Sequence, residues 1–298
     1  MLIVSGSITD LNWNTDYITT IRNDAGRSLM GSNQENWFYR TLSESKERGA
    51  AWRVIGNQII FSRVNISSWF GSEEEPYNVD QWDGYTSNRN RTYQHLYGNQ
   101  IDNTIMLAGD SHANWVSDLL WVDPESAPFA STNNGIDIPV YNQATGEGAI
   151  GVEFAVTAVS SSGFRGDIAA TNAQAQKLVR DNSELMWNEG YFRGYLALYL
   201  NAHEARAEYY GAPTVRTRNS YDIPLANFTV KAGANHLQRP IAGGSVNSGY
   251  LKDADQPGRV AGVNGTLALD TVTGSWGPVP NALLAGGNYI TYARLNST

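Results

Sequence analysis

The chain has 298 residues, a formal net charge of −8, 41% hydrophobic and 17% charged residues, and no cysteine. The acidic balance, with no Lys/Arg cluster, argues against a nucleic-acid footprint, and the missing thiols exclude disulfides, thiolate zinc sites and cysteine nucleophiles. No apolar run approaches the ~20 residues of a membrane span, and the abundance of Trp, Tyr and Gly favours β-rich or α/β structure with many turns.

The first residues, MLIVSG, read as a core strand and lack the basic start and long apolar stretch of a signal peptide. Leu11–Arg27 is polar and Asn-rich and predicts a loop. Asn33–Ala50 places Trp37, Phe38, Thr41, Leu42 and Ser45 at helical spacing and stops at Gly49. Trp52–Val64 predicts a strand pair, or one kinked strand, broken at Gly56-Asn57. Phe70–Asn90 predicts an acidic, then aromatic loop, and Thr92–Asn99 a short helix.

An apolar run, Ile105–Ala108, predicts a buried strand. Asn114–Val122 fits either a covering helix or a continuing strand, and Gly151–Ser161 alternates as a strand. Ala170–Glu189 reads as an amphipathic helix, and Gly194–Tyr210 as a hairpin on an aromatic face. Strands and helices mixed in this order imply α/β layering. From Gly211 onward Gly, Asn, Thr, Pro and Ala dominate, which predicts a loop-rich extension over 211–298 after a first part over 1–210.

The strongest chemical signal is Gly109-Asp110-Ser111-His112, directly after the Ile105 strand. A carboxylate and an imidazole delivered at a strand's carboxyl end suit a cation that binds phosphate or activates water. The competing reading is an Asp capping a following helix. Glu153, an acid inside a strand, needs a partner. Two are open: a hydrogen bond to a site imidazole, or a salt bridge to Arg165. His203 reads as a solvated surface residue and His95 as structural. Trp82-Asp83-Gly84-Tyr85 reads as a packed aromatic turn. The chain contains no P-loop, GxSxG, HExxH or GxGxxG motif.

Six segments in order resemble the PhoD-like alkaline phosphatases of the calcineurin-like metallophosphatase superfamily. They are Gly31–Trp37, Trp52–Gln58, Trp82–Tyr85, Leu107–His112 with Trp115, Val152–Phe154 with Ser160-Ser161, and Arg193–Tyr195. The resemblance implies a layered β-sandwich flanked by helices. It also implies hydrolysis of phosphate mono- or diesters at a site of iron and calcium, by in-line attack of a metal-held hydroxide on phosphorus. Asp110 and His112 carry over as metal ligands and catalytic residues, with Glu153 and Trp115 as supports behind them.

The family's earlier metal-binding Asp motifs would precede the region matching Leu2–Ser5 and are absent, so the chain resembles the C-terminal half of such an enzyme, and weak or no activity is expected. Five Asn-x-Ser/Thr sequons, at Asn65, Asn90, Asn227, Asn264 and Asn296, together with the family, suggest a secreted, cell-wall or vacuolar glycoprotein. Two other functions fit the residues. One is a non-enzymatic secreted binding or structural protein acting through its aromatic surfaces. The other is a carbohydrate-active enzyme with Asp110 and Glu153 as paired carboxylates.

Overall fold

The computed structural model of the protein describes residues 12–70, 77–121, 132–133, 136–137, 140–164, 166–212, 215, 222–258, 267–270, 276–278 and 289–291. The strand expected at MLIVSG lies outside these residues. α1 (Asn12–Ile21) is a helix where polar composition predicts a loop. Ile18 and Ile21, one turn apart, are half-buried, and Thr86 Oγ1 donates to Arg22 O at 2.8 Å just beyond the helix end. Tertiary attachment rather than propensity stabilises so short a helix. α2 (Ser32–Glu47) is the helix predicted there; of the positions at helical spacing Leu42 and Ser45 are buried and Phe38 and Thr41 half-buried, while Trp37 is 52% exposed. The helix ends before Gly49, whose φ of +69° is the left-handed conformation that closes a helix most cheaply without a Cβ.

The strand pair predicted over Trp52–Val64 is a single short strand, β1 (Arg53–Gly56), followed by irregular backbone. Ile60 and Phe61 are fully buried there, which explains the strand-like pattern. Carboxylates, not a second strand, satisfy the amides of this segment. Phe61 N and Ser62 N donate to Glu153 Oε1 and Oε2 at 2.6 and 2.9 Å, and Val64 N donates to Asp83 Oδ2 at 3.2 Å. After α3 (Ser67–Phe70), a 3-10 turn at Trp82–Gly84 leads into α4 (Thr86–Gly98), which starts six residues before the predicted Thr92. Its buried face opens with Thr86, Asn88 and Arg89, so hydrophobic periodicity detects only its second half.

β2 (Thr104–Ala108) is the expected strand, and β3 (Asn114–Leu119) resolves the open choice at Asn114 in favour of a strand. A small hairpin, β4 (Thr132–Asn133) and β5 (Ile136–Asp137), precedes β6 (Gly151–Ala155). The single helix predicted to Glu189 divides into α5 (Ile168–Asp181) and β7 (Leu185–Glu189). Asp167 caps the start of α5, accepting Ala170 N at 2.8 Å, and Lys252 Nζ donates to Asn182 O at 2.6 Å at its end. β7 is buried along its whole length and shows no periodicity that would set it apart from a helix.

β8 (Arg193–Leu200) and β9 (Glu204–Ala212) form the predicted hairpin, with His203 exposed at its turn. β10 (Ile223–Lys231), β11 (Tyr250–Leu251), β12 (Leu267–Asp270), β13 (Trp276–Pro278) and β14 (Tyr289–Thr291) follow. One sheet has the order β1-β2-β6-β3-β7-β11, a second β10-β9-β8, and a third β13-β12-β14. β1, β2 and β6 run parallel, while β3 is antiparallel to both β6 and β7.

The first two sheets share one core. Trp187 of β7 meets Tyr209 of β9 and Phe228 of β10 at ring-centroid distances of 5.0 and 5.3 Å. The result is the expected layered α/β sandwich. The composition change at Gly211 does not end it, because β10 completes the second sheet and β11 extends the first. Alternating burial along β10 supplies its core face despite the polar composition. Asp118 fastens this later part to the sheet: its Oδ1 accepts Leu237 N at 2.8 Å and its Oδ2 pairs with Arg239 Nη2 at 2.7 Å.

Candidate functional site

The three parallel strands β1, β2 and β6 end at the same edge of the sheet. Asn57 N donates to Leu107 O at 2.8 Å and Val156 N to Ala108 O at 2.9 Å, so the loops leaving β1 and β6 flank the loop leaving β2. Open α/β sheets bind ligands at such carboxyl ends. The loop after β2 is Gly109–Ala113, and within it Asp110 and His112 both adopt left-handed backbone, with φ of +62° and +57°. Ser111 N donates to Gly109 O at 2.7 Å, the contact of a three-residue turn. Conformations of this kind cost energy in residues with a Cβ and cluster at functional sites.

The element after this loop is the strand β3, so there is no helix for Asp110 to cap. Its side chain is exposed and makes no hydrogen bond or ion pair among the described residues. His112 is held on one side. Its Nδ1 lies 2.7 Å from Ser162 O. A carbonyl oxygen only accepts, so we assign the proton to Nδ1, which leaves the Nε2 lone pair outward. This is the arrangement of a metal-binding imidazole whose second nitrogen is tied to a backbone carbonyl. Thr157 Oγ1 donates to His112 O at 3.1 Å, and buried Trp115 donates from Nε1 to Ser111 Oγ at 2.8 Å.

Glu153 does not join this group. Both carboxylate oxygens accept from the Phe61 and Ser62 amides, so its partner is the segment after β1 rather than a site imidazole. Arg165, the other partner considered, lies outside the described residues. Complete burial holds the Glu153 carboxyl above the ordinary glutamate value of 4.5, against the pull of the amide donors. With Glu153 committed to backbone, the reading that pairs it with Asp110 as two catalytic carboxylates loses its second acid. His95 is structural as expected: it stacks on Tyr39 with centroids 4.9 Å apart and meets Ser43 Oγ at 3.0 Å. Asp83 pairs with Arg89 at 2.8 Å inside the packed turn after Trp82.

A hard anionic oxygen at Asp110 and an imidazole nitrogen of fixed tautomer at His112 fit a phosphate-binding cation. Among the described residues no three His, Cys, Asp or Glu side chains form a group that could hold a metal. The residues that sequence reasoning missed are those behind the loop. Asn114 Oδ1 accepts Thr157 N at 3.0 Å, and its Nδ2 donates to Glu189 Oε2 at 2.9 Å across 75 residues of chain. The Ser162 carbonyl carries no side-chain signature at all. Only Ser160-Ser161 and Arg193–Tyr195, which carry part of the resemblance, lie in that region.

The fold is a layered α/β sandwich with an acid and an imidazole at the end of a parallel strand, and the PhoD-like phosphatase family model matches residues 5–209. The chain belongs to that family. It is 27% identical over 231 residues to alkaline phosphatase D of Bacillus subtilis (strain 168), covering 77% of this chain. It is also similar to the solved structure of PhoD, with a TM-score of 0.58 and 25% identity over 80% of this chain. The chain spans 34% of the length of the curated relative and 39% of the solved one.

Proposed function

We propose that Asp110 and His112 are ligands in a metal centre that hydrolyses phosphate mono- or diesters. The observation that carries this reading is their loop: two left-handed non-glycine positions, one on each side of Ser111, present a carboxylate with no partner among the described residues and an imidazole fixed through Nδ1. Iron and calcium, the metals of the family resemblance, would supply Lewis acidity and charge neutralisation when bound. Asp110 would offer an anionic oxygen and His112 its Nε2, while Ser162 and Thr157 keep the imidazole and its backbone in place. Two ligands hold a cation weakly, so Asp110 and His112 by themselves are expected to give weak or no phosphatase activity. A secreted, cell-wall or vacuolar setting accompanies this reading, and sequon residue Asn227 lies exposed on β10.

The test is hydrolysis of p-nitrophenyl phosphate and bis-p-nitrophenyl phosphate by the purified chain, with iron and calcium supplied. Weak turnover lost in Asp110→Asn supports the assignment. Turnover that Asp110→Asn leaves intact overturns it, and robust turnover overturns the need for further ligands.

One observation favours a second reading, a binding protein that keeps the phosphatase scaffold. Tyr195 and Tyr199 are 44% and 50% exposed on β8, and Tyr195 stacks on Tyr210 with centroids 5.3 Å apart. Such a row suits the flat face of a sugar ring. Retention of the chain on an insoluble cell-wall glycan, lost in Tyr199→Ala, would favour it.

A further inference from the structure

We propose that Arg193 is a positioning residue for His112, acting through the loop that presents the Ser162 carbonyl. The inference rests on the reading of His112 as a ligand. Arg193 opens β8 and is 6% exposed. Its guanidinium spans two loops: Nη1 donates to Ser161 O at 3.0 Å, while Nη2 donates to Gly190 O at 3.1 Å and Tyr191 O at 3.3 Å. Ser161 is the neighbour of Ser162, whose carbonyl receives His112 Nδ1. Arg193 thus fixes the peptide next to the one that selects the imidazole tautomer. Arginine suits the task because its planar fork reaches carbonyls on both sides and keeps its charge at any physiological pH.

An independent feature marks the same contact. A Cβ on Gly163 would lie 2.0 Å from Arg193 Nη2 and 2.5 Å from Cζ. Position 163 is therefore kept free of a side chain by the guanidinium itself, and no left-handed backbone at that residue supplies another reason. The backbone alone leaves a gap that Arg193 closes. Gly194 N donates to Ala158 O at 3.2 Å and Phe164 N to Gly190 O at 3.1 Å, which ties one end of the 158–164 segment to the start of β8 and the other to the turn before it. The stretch between them, carrying Ser161 and Ser162, is held to that turn by Arg193. With Nη1 and Nη2 donating to these carbonyls, Arg193 acts on the site through His112.

The experiment uses the full 298-residue chain, free of metal, and reads the tautomer of His112 by long-range 1H–15N correlation, with His112→Gln assigning the signal. Wild type is expected to hold the proton on Nδ1. Arg193→Ala should move the tautomer ratio by about 2- to 10-fold, the range that loss of one hydrogen bond of modest net strength produces. Gly163→Ala, which keeps the charge but displaces the guanidinium, should do the same, and Arg193→Lys should restore part of the effect. The ring signals of His95 and His236 serve as internal controls and should not move. A wild-type His112 protonated at Nε2, or a folded Arg193→Ala or Gly163→Ala with an unchanged ratio, overturns the proposal. Should Arg193→Ala fail to fold, Gly163→Ala and Arg193→Lys decide it.

A Mn2+ titration separates this proposal from the ligand reading. Selective broadening of His112 in wild type, requiring about 10- to 100-fold more Mn2+ in Arg193→Ala, is expected if His112 binds the cation. Absence of broadening in wild type, with the tautomer shift intact, would remove the ligand role and leave the positioning role standing.

Discussion

Asp110 and Asp118 stand eight residues apart, the first in the turn from β2 into β3 and the second near the end of β3, and the fold treats them in opposite ways. Asp118 is fully buried, and its two oxygens together accept from Leu237 N, Tyr141 Oη and Arg239 Nη2 at 2.7–2.8 Å. Asp110 is exposed, sits on left-handed backbone, and has no partner among the described residues. A structural acid has its acceptor capacity filled from inside the protein, because an unpaired buried charge is too costly to keep. Asp110, the proposed ligand, is left unfilled among the described residues. Glu153 and Glu189 follow Asp118: each is buried and bound to backbone amides, at Phe61 and Ser62 and at Tyr191 and Phe192.

If that contrast is right, removing Asp118 harms the fold most. Asp118→Ala leaves Arg239 without its carboxylate in a largely buried place, and should lower unfolding free energy by about 3–5 kcal/mol in chemical denaturation. Glu153→Gln comes next. The amide nitrogen it introduces must face either the Phe61 or the Ser62 N–H, which should cost about 1–3 kcal/mol.

The same variant carries a pH signature. Burial holds Glu153 above the ordinary 4.5, so as pH rises past that value the folded protein keeps a proton that the unfolded chain has released. Stability from this group is present at low pH and lost as pH climbs through the folded-state value. A denaturation series from pH 4.5 upward should show a shallower decline for Glu153→Gln than for wild type. An equal slope would sink the assignment of that titration to Glu153.

Trp115→Phe keeps most of the buried ring and loses the bond to Ser111 Oγ, for an expected cost near 1 kcal/mol. Smallest of all should be Asp110→Asn. Asn tolerates left-handed backbone, no partner among the described residues is lost, and stability should change by less than about 0.5 kcal/mol. A loss of several kcal/mol in Asp110→Asn would place Asp110 with Asp118 and end the comparison.

What could be read from the chain depended on whether a pattern was local. The helix α2 was legible from 3.6-residue spacing closed by Gly49, and the β8–β9 hairpin from strand-like runs flanking a polar turn. α1 was missed because its few apolar positions sit among Asn and Thr. The split of α5 from β7 was missed because a strand buried along its whole length has no alternation to show. At the site, Asp110 and His112 stood out as an acid and an imidazole after an apolar run. The cap alternative for Asp110 fell only once β3 proved to be a strand.

The sequence by itself determined the family, the α/β layering and the one loop that carries an acid beside an imidazole, because those features reside in short segments and their order. Only the tertiary structure decided which acids are spent and which carbonyl His112 Nδ1 faces. It alone carried the sandwich past Gly211 through β10 and β11. Those outcomes depend on contacts such as Asn114 to Glu189 and Asp118 to Arg239, made between residues 75 and 121 positions apart. Hydrogen bonding at such separations, much of it to backbone carbonyls and amides, leaves no mark in the order of side chains along the chain.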